Sequence, residues 1–426
     1  MAKRNLFNKK HKVKSLLFFS LLVTLPLMGC SRFLPFLNSE EQKSQSEEVS
    51  SVVSSITTTP SSTISSSSSL IESESTTISK SETIESSSET HSESLSSGQS
   101  SESNDASINS IDIYFLELGN KYTGDSTFIK AGDVDILIDA GSRQNSASTI
   151  SAFVDQYCTD GVLEYVIATH AHQDHIAGFV GSNSDEGIFK HYKIDTLIDF
   201  SLTNATSKIY SNYISLRDEK IASLDIIHHY TANECIEQVN GAQKVFTLCE
   251  GITMEILDQK FYREKTSDEN DYSVCALFTQ GNSHYLFTGD LEKEGEKSLT
   301  ELNKLPEVEL FKGGHHGSYT ANTDALLSVV KPKTVCICCC AGSDEYTKTP
   351  ENMFPAQAAV DRIAKYTDKV YVTTVVSNNS LGYTSMNGNI NFHSDKGTDY
   401  LVTGSNNSLI LKDTEWFKNN RTWPTY

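Results

Sequence analysis

A chain of 426 residues has the length of two ordinary domains, but its composition is far from uniform, so the folded part is smaller than the length suggests. The formal charge of −20 divides into about +7 over residues 1–37, about −10 over residues 38–106 and about −17 over the remainder. A folded part this acidic repels polyanions, which excludes tight, non-specific binding to duplex nucleic acid.

Residues 1–30 open with six basic residues by position 14, run apolar as SLLFFSLLVTLPLMG and stop at Cys30. A basic segment, an apolar stretch too short to span comfortably and a small residue before the cleavage point describe a signal peptide. The ending LMGC resembles a bacterial lipoprotein signal, which implies lipidation of Cys30 and a chain anchored by that lipid on the extracellular face of the cell membrane. An uncleaved membrane anchor is the alternative, and it too places the rest of the chain outside the cytoplasm.

Residues 31–106 form the second region, mostly Ser, Thr and Glu from about residue 38. Such a segment buries too little apolar surface to offset its ordering entropy and is expected to be a disordered stalk. Residues 107–426 have ordinary globular composition and are expected to form one domain with a short C-terminal extension.

Within that domain, YTGDSTFIKAGDVDILIDAG places a turn at Gly124-Asp125-Ser126 and ends a strand at Asp139-Ala140-Gly141. Apolar spacing predicts helices over 147–157, 324–330 and 356–366, and VYVTTV and NINFHS read as strands. Between the first strands and the later ones stands VIATHAHQDHIAG, residues 166–178. Its apolar opening reads as the end of a buried strand. In extended chain His170 and His172 project to one side, while Asp174 and His175 follow at the turn into a helix. This arrangement can hold two divalent ions a few Å apart and bring the pKa of a shared water to about 7.

Downstream, HYLFTGD ends in Asp290, LFKGGHHGS presents His315 and His316, and TVCICCC reads as a buried strand whose cysteines act as small apolar residues. His228 and His229 read as a solvated pair on a loop, and His191, His284 and His393 as surface residues. Trp416 and Trp423 belong either to a packed C-terminal cap or to a surface for an aromatic or sugar ligand.

THAHQDH matches the H-x-H-x-D-H signature of metallo-β-lactamase-fold hydrolases. The combination of GDS, DAG, THAHQDH, TGD and GGHHGS resembles the hydrolase domain of the ComEC family of competence (DNA-uptake) proteins over roughly residues 111–380, here free-standing. The resemblance implies an α+β fold, a four-layer αββα sandwich, with two divalent ions, Zn or Mn. His170, His172 and His175 are the implied ligands, Asp174 a second-metal ligand that also orients the attacking water, and Asp290 the carboxylate between the metals. His316 is favoured as the further ligand and His315 as the catalytic partner of the substrate. Asp139 is implied as a structural neighbour of the site, as is Asp125.

The pattern departs from the family at SDENDYSVCALF, where many members supply another histidine and Asn270, Asp271 and Ser273 stand instead. One metal is therefore expected to be loosely held, to favour Mn over Zn, or to be absent. A carboxylate at 290 favours phosphoester cleavage, so the expected function is a surface-anchored phosphodiesterase or nuclease acting on a phosphoester, single-stranded nucleic acid included. The competing expectations are a choline-phosphate esterase of the envelope, a β-lactam or lactone hydrolase, and a displayed binding module without catalysis.

Overall fold

The structure is a computed structural model describing residues 108–377 and 382–426. The signal peptide 1–30 with Cys30 and the stalk 31–106 lie outside the described residues. In chain order the strands are β1 (Ile111–Phe115), β2 (Thr127–Ala131), β3 (Val134–Ile138), β4 (Val162–Ile167), β5 (Lys193–Asp199), β6 (Ile226–Thr231), β7 (Val245–Cys249), β8 (Ile252–Ile256), β9 (Ala276–Gln280), β10 (Ser283–Phe287), β11 (Leu310–Lys312), β12 (Val335–Ala341), β13 (Val370–Val376), β14 (Tyr383–Ser385), β15 (Ile390–Ser394) and β16 (Leu401–Gly404). The helices are α1 (Ser146–Val154), α2 (Gln173–Val180), α3 (Ile188–His191), α4 (Lys208–Ala222), α5 (Ala232–Glu237), α6 (Lys293–Leu302), α7 (Asp324–Val330), α8 (Gln357–Ile363) and α9 (Glu415–Asn420).

One sheet runs β16-β15-β1-β2-β3-β4-β5-β6 and the other β14-β13-β12-β11-β10-β9-β8-β7. Their inner faces meet through aromatic pairs such as Phe115 with Phe287 and Tyr285 with Phe392, ring centroids 6.2 and 5.3 Å apart. Outside the first sheet, Phe179 of α2, Phe189 of α3 and Tyr213 of α4 pack together. Outside the second, Leu299, Leu327, Val360 and Phe417 supply the apolar faces of α6 to α9. The result is a four-layer αββα sandwich, because each sheet must cover both of its apolar faces.

The strands that matter most for function run parallel: β3 beside β4 in one sheet, and β10, β11 and β12 side by side in the other. The loops leaving their C-terminal ends therefore gather along one edge of the sandwich. Crevices at such edges are where α/β sheets bind ligands. Among the described residues no helix is long and apolar enough to cross a membrane.

The helix expected over 324–330 has those bounds, whereas the other two are shorter, ending at Val154 and Ile363. TVCICCC forms the wholly buried β12, and the eight described cysteines are free thiols. His228 and His229 correct the sequence reading: they sit on the edge strand β6, not on a loop, and His229 bonds Asp199 at 2.9 Å. His284 is half-buried on β10. Trp416 and Trp423 pack against the core outside the second sheet, Trp423 on Phe417.

Gly178 fixes how α2 meets the sheet. Its N–H donates to the Ala140 carbonyl at 2.9 Å, and a Cβ added there would lie 2.0 Å from that oxygen. Only a bare backbone permits the approach, and the approach seats the helix that carries Asp174 and His175. Gly178→Ala is expected to lower unfolding free energy by about 3 kcal/mol in urea titrations; unchanged stability would contradict this packing.

Candidate metal centre

β4 is apolar because it is central in its sheet, and its end delivers Thr169 and His170 into a buried position. The backbone bends at Ala171 and His172, itself extended, leads into α2, so Asp174 lies in the first helical turn where the helix dipole favours an anion. His170 Nε2 lies 3.0 Å from His172 Nδ1, one converging pair of donors.

His175 belongs to a second group. Its Nδ1 meets Asp139 Oδ2 at 2.7 Å and its Nε2 meets Asp290 Oδ2 at 3.1 Å. Asp139 sits in the left-handed region, φ 59°, an uncommon conformation for a residue with a side chain. That conformation turns its carboxylate back to accept the Thr169 N–H and hydroxyl, each at 2.8 Å, besides holding the imidazole. Asp139 thus locks strand end and ligand together and fixes the His175 tautomer.

Asp290 follows the β10 end, and its N–H donates to Ser273 Oγ at 3.1 Å. From the neighbouring β11, the GGHHGS turn places His315 and His316 at φ 47° and 54°, both left-handed. Asn322 holds this turn by accepting the Gly314 N–H and donating to its carbonyl, both at 2.9 Å. Glu296 in turn accepts the Asn322 and Thr323 N–H groups.

The turn separates the two histidines. His316 is buried, its Nδ1 donating to the Cys338 carbonyl at 2.9 Å and its Nε2 lying 3.1 Å from Asp290 Oδ2 and 3.4 Å from Asp174 Oδ2. His315 is partly exposed, its Nδ1 3.1 Å from Glu292 Oε1 and 3.2 Å from Thr320 Oγ1, its Nε2 4.0 Å from Asp290 Oδ2.

Asp125, Asp139, Asp174 and Asp290 are all buried in this small region, which is costly without cations. Burial alone would raise the Asp290 pKa, but His175, His316 and Lys312 hold it well below the usual carboxylate range. Burial opposes protonation of His175 and His316, yet Asp290 with Asp139 and Asp125 hold both well above an ordinary imidazole. Burial and the adjacent His175 and His172 push His170 the other way, well below.

A divalent ion fits this donor set. His316 Nε2 and Asp290 Oδ1 are buried without a hydrogen-bond partner, and ligating atoms of Asp125, His175, Asp290 and His316 lie within 4.8 Å of one another. Asp125 meets the histidines from behind, at His316 Nδ1 (3.4 Å) and His175 Nδ1 (3.8 Å), and it pairs with the Lys312 ammonium. It therefore orients the imidazoles while Asp174, His175, Asp290 and His316 present the inward atoms. An ion bound there displaces the protons these histidines hold.

Asn270, Asp271 and Ser273 bring no ligand to the His170–His172 pair. The Asn270 amide goes to Glu292 at 3.1 Å, Asp271 Oδ1 accepts the Glu292 N–H, and Ser273 Oγ faces His170 Nδ1 at 3.4 Å. Burial and Asp268 push the Asp271 pKa up to about 6.

Sequence reasoning assigned no role to Lys312, Glu292, Arg143 or Tyr346. Lys312 had a signal: a lysine inside an apolar strand is buried only when paired. Here it sits beside Asp125 and 3.5 Å from Asp290 Oδ1.

The sequence profile of the metallo-beta-lactamase superfamily matches residues 119–227, the stretch holding Asp125, Asp139 and the histidine loop. The chain has the metallo-β-lactamase fold. It is similar to ComE operon protein 3 of Bacillus subtilis (strain 168), 27% identical over 184 residues that make up 41% of this chain and 20% of that protein. It is also similar to Recombination protein 2 of Haemophilus influenzae, 28% identical over 126 residues, 30% of this chain and 15% of the other. The matched segments thus span a fifth or less of these relatives' own length. Among solved structures, the metallo-beta-lactamase fold protein YhfI from Bacillus subtilis aligns with 63% of this chain and 96% of its own at 9% identity and a TM-score of 0.37. Metal-dependent hydrolysis is the chemistry of the metallo-β-lactamase superfamily, and the buried Asp and His cluster of this chain is a donor set that could hold the metal such chemistry uses.

Asp139→Asn leaves a side chain of the same shape but removes the charge that orients His175. Metal affinity, read by competition with a chromogenic chelator, is expected to fall about 10- to 100-fold; unchanged affinity would remove Asp139 from the metal centre.

Proposed function

We propose that the chain is a phosphodiesterase displayed outside the cell by a lipid on Cys30, with single-stranded nucleic acid as its substrate class. The observation that carries the reaction is the position of Asp290, whose Oδ2 lies 3.1 Å from both His175 Nε2 and His316 Nε2. A hard carboxylate at the centre of the donors suits Zn or Mn ions that clamp a phosphoryl group. Bound ions lower the pKa of water to about 7 and offset phosphoryl charge.

The chain's own residues do the rest. Asp174, His175, Asp290 and His316 would hold one ion, and His170 and His172 would hold the other more weakly, because Asn270, Asp271 and Ser273 add no ligand to them. Asp174 also orients the attacking water. Glu292 Oε1, 3.1 Å from His315 Nδ1, orients the ring, and His315 in its imidazolium form would pass the Nε2 proton to the leaving oxygen.

Charge and cavity support the substrate class. The acidic domain disfavours duplex over its surface, while a cavity of about 500 Å³ lined by Arg143, His172, Asp174, Asn270, His315 and Tyr346 has room for one phosphodiester of a single strand. The resemblance to DNA-uptake proteins and the likeness to Recombination protein 2 point the same way.

The test uses the full-length chain loaded separately with Zn and Mn, a bis-aryl phosphodiester and single-stranded DNA. Both substrates are expected to turn over, Asp290→Ala to lose metal and turnover together, and His315→Gln to keep its metal while kcat falls about 100-fold or more. Absence of phosphoester cleavage with either metal, alongside cleavage of a chromogenic β-lactam, would overturn the proposal.

A further inference from the structure

The loop between β12 and α8 brings to the metal centre a residue that no motif marks. Tyr346 is 52% exposed, yet its hydroxyl reaches inward and donates to Asp174 Oδ2 at 2.6 Å. That same oxygen is the one facing His316 Nε2 at 3.4 Å. The hydroxyl therefore lies beside the inward, ion-facing side of the donor set.

The ring is held in place. It leans on Phe354, centroids 5.5 Å apart, and Phe354 packs against His315 and His316 at 5.8 and 5.7 Å. The preceding Glu345 accepts from the Thr123 N–H at 3.0 Å and from the Arg143 guanidinium at 2.6 Å. Arg143 in turn stacks on Tyr122, 3.8 Å from the ring centroid. The loop is thus tied to the first sheet's turns on one side and to the histidine turn on the other.

Tyr346 and His315 both line the cavity of about 500 Å³ and an adjoining one of about 300 Å³. A phosphoester lying between the donor set and His315 passes the Tyr346 hydroxyl. Two other donors on these walls already have partners: Arg143 bonds Glu345 and the Ser142 carbonyl, and Asn270 bonds Glu292. The tyrosine hydroxyl bonds a carboxylate oxygen that an ion would claim, which frees its proton for the substrate.

We propose that Tyr346 is a catalytic residue that donates its hydroxyl hydrogen bond to a non-bridging phosphoryl oxygen and stabilises the charge gathering there during attack. The inference rests on the phosphoester reading above. No proton is transferred, so the tyrosine returns to Asp174 unchanged after each cycle. Donors aimed at a developing oxyanion are worth large rate factors because they are already oriented.

The test compares full-length wild type, Tyr346→Phe and Glu345→Gln, each loaded with Mn. Metal content, thermal stability, kcat and KM on a bis-aryl phosphodiester, and calorimetric binding of inorganic phosphate are read in parallel. Tyr346→Phe is expected to keep its metal and stability, to lose about 10- to 100-fold in kcat with KM nearly unchanged, and to bind phosphate about tenfold more weakly. A mere loop tether predicts that Tyr346→Phe and Glu345→Gln behave alike, with lower stability, higher KM and kcat retained; that result would overturn the inference. Wild-type kcat and phosphate affinity in Tyr346→Phe would overturn it with the phosphoester reading intact. A wild type that neither binds phosphate nor cleaves the ester would sink that reading and the inference with it.

Discussion

Four buried aspartates at one edge of the sandwich set the terms for everything around them. Asp125, Asp139, Asp174 and Asp290 gather around His175 and His316, away from water that would otherwise solvate their charge. Lys312 supplies one buried positive charge, and His175 and His316 gather protons to supply more. A divalent cation would take the place of those protons, so the electrostatic demand of the fold suits a metal at this site.

Meeting that demand shapes the backbone. Asp139, His315 and His316 adopt left-handed conformations that cost free energy and persist because hydrogen bonds on all sides fix them. Asp139 is held by Thr169 and His175, and the histidine turn by Asn322, itself held by Glu296. These three left-handed residues thus stand where ligands must be aimed. Their placement explains how adjacent histidines take different parts: a left-handed turn sends His316 inward and leaves His315 at the cavity wall.

Much of the metal centre was legible in the sequence because its ligands fall in short runs at strand ends. H-x-H-x-D-H needs only an extended strand and a helix start to converge, and β4 and α2 provide both. Asp290 and the GGHHGS histidines were legible for the same reason. What the sequence did not reveal depends on neighbours brought together by the second sheet. Lys312 resembles any lysine until β11 is seen running beside β10 toward Asp125, and Tyr346 resembles any loop tyrosine until its hydroxyl is found on Asp174. His228 and His229 misled in the opposite sense, since an edge strand and a loop share the same polar composition. The sandwich was legible only through the resemblance that the motifs carry, and helix ends differed where polar turns replaced the last predicted turn.

The central claim is that this acidic, histidine-rich pocket exists to hold a divalent ion. Anomalous diffraction from crystals grown with Mn or Zn tests it directly. The account predicts a strong anomalous peak within coordination distance of His175 Nε2, His316 Nε2 and Asp290, with a weaker one at His170 and His172. A map with no peak at Asp290, in crystals where those side chains are ordered, would contradict it.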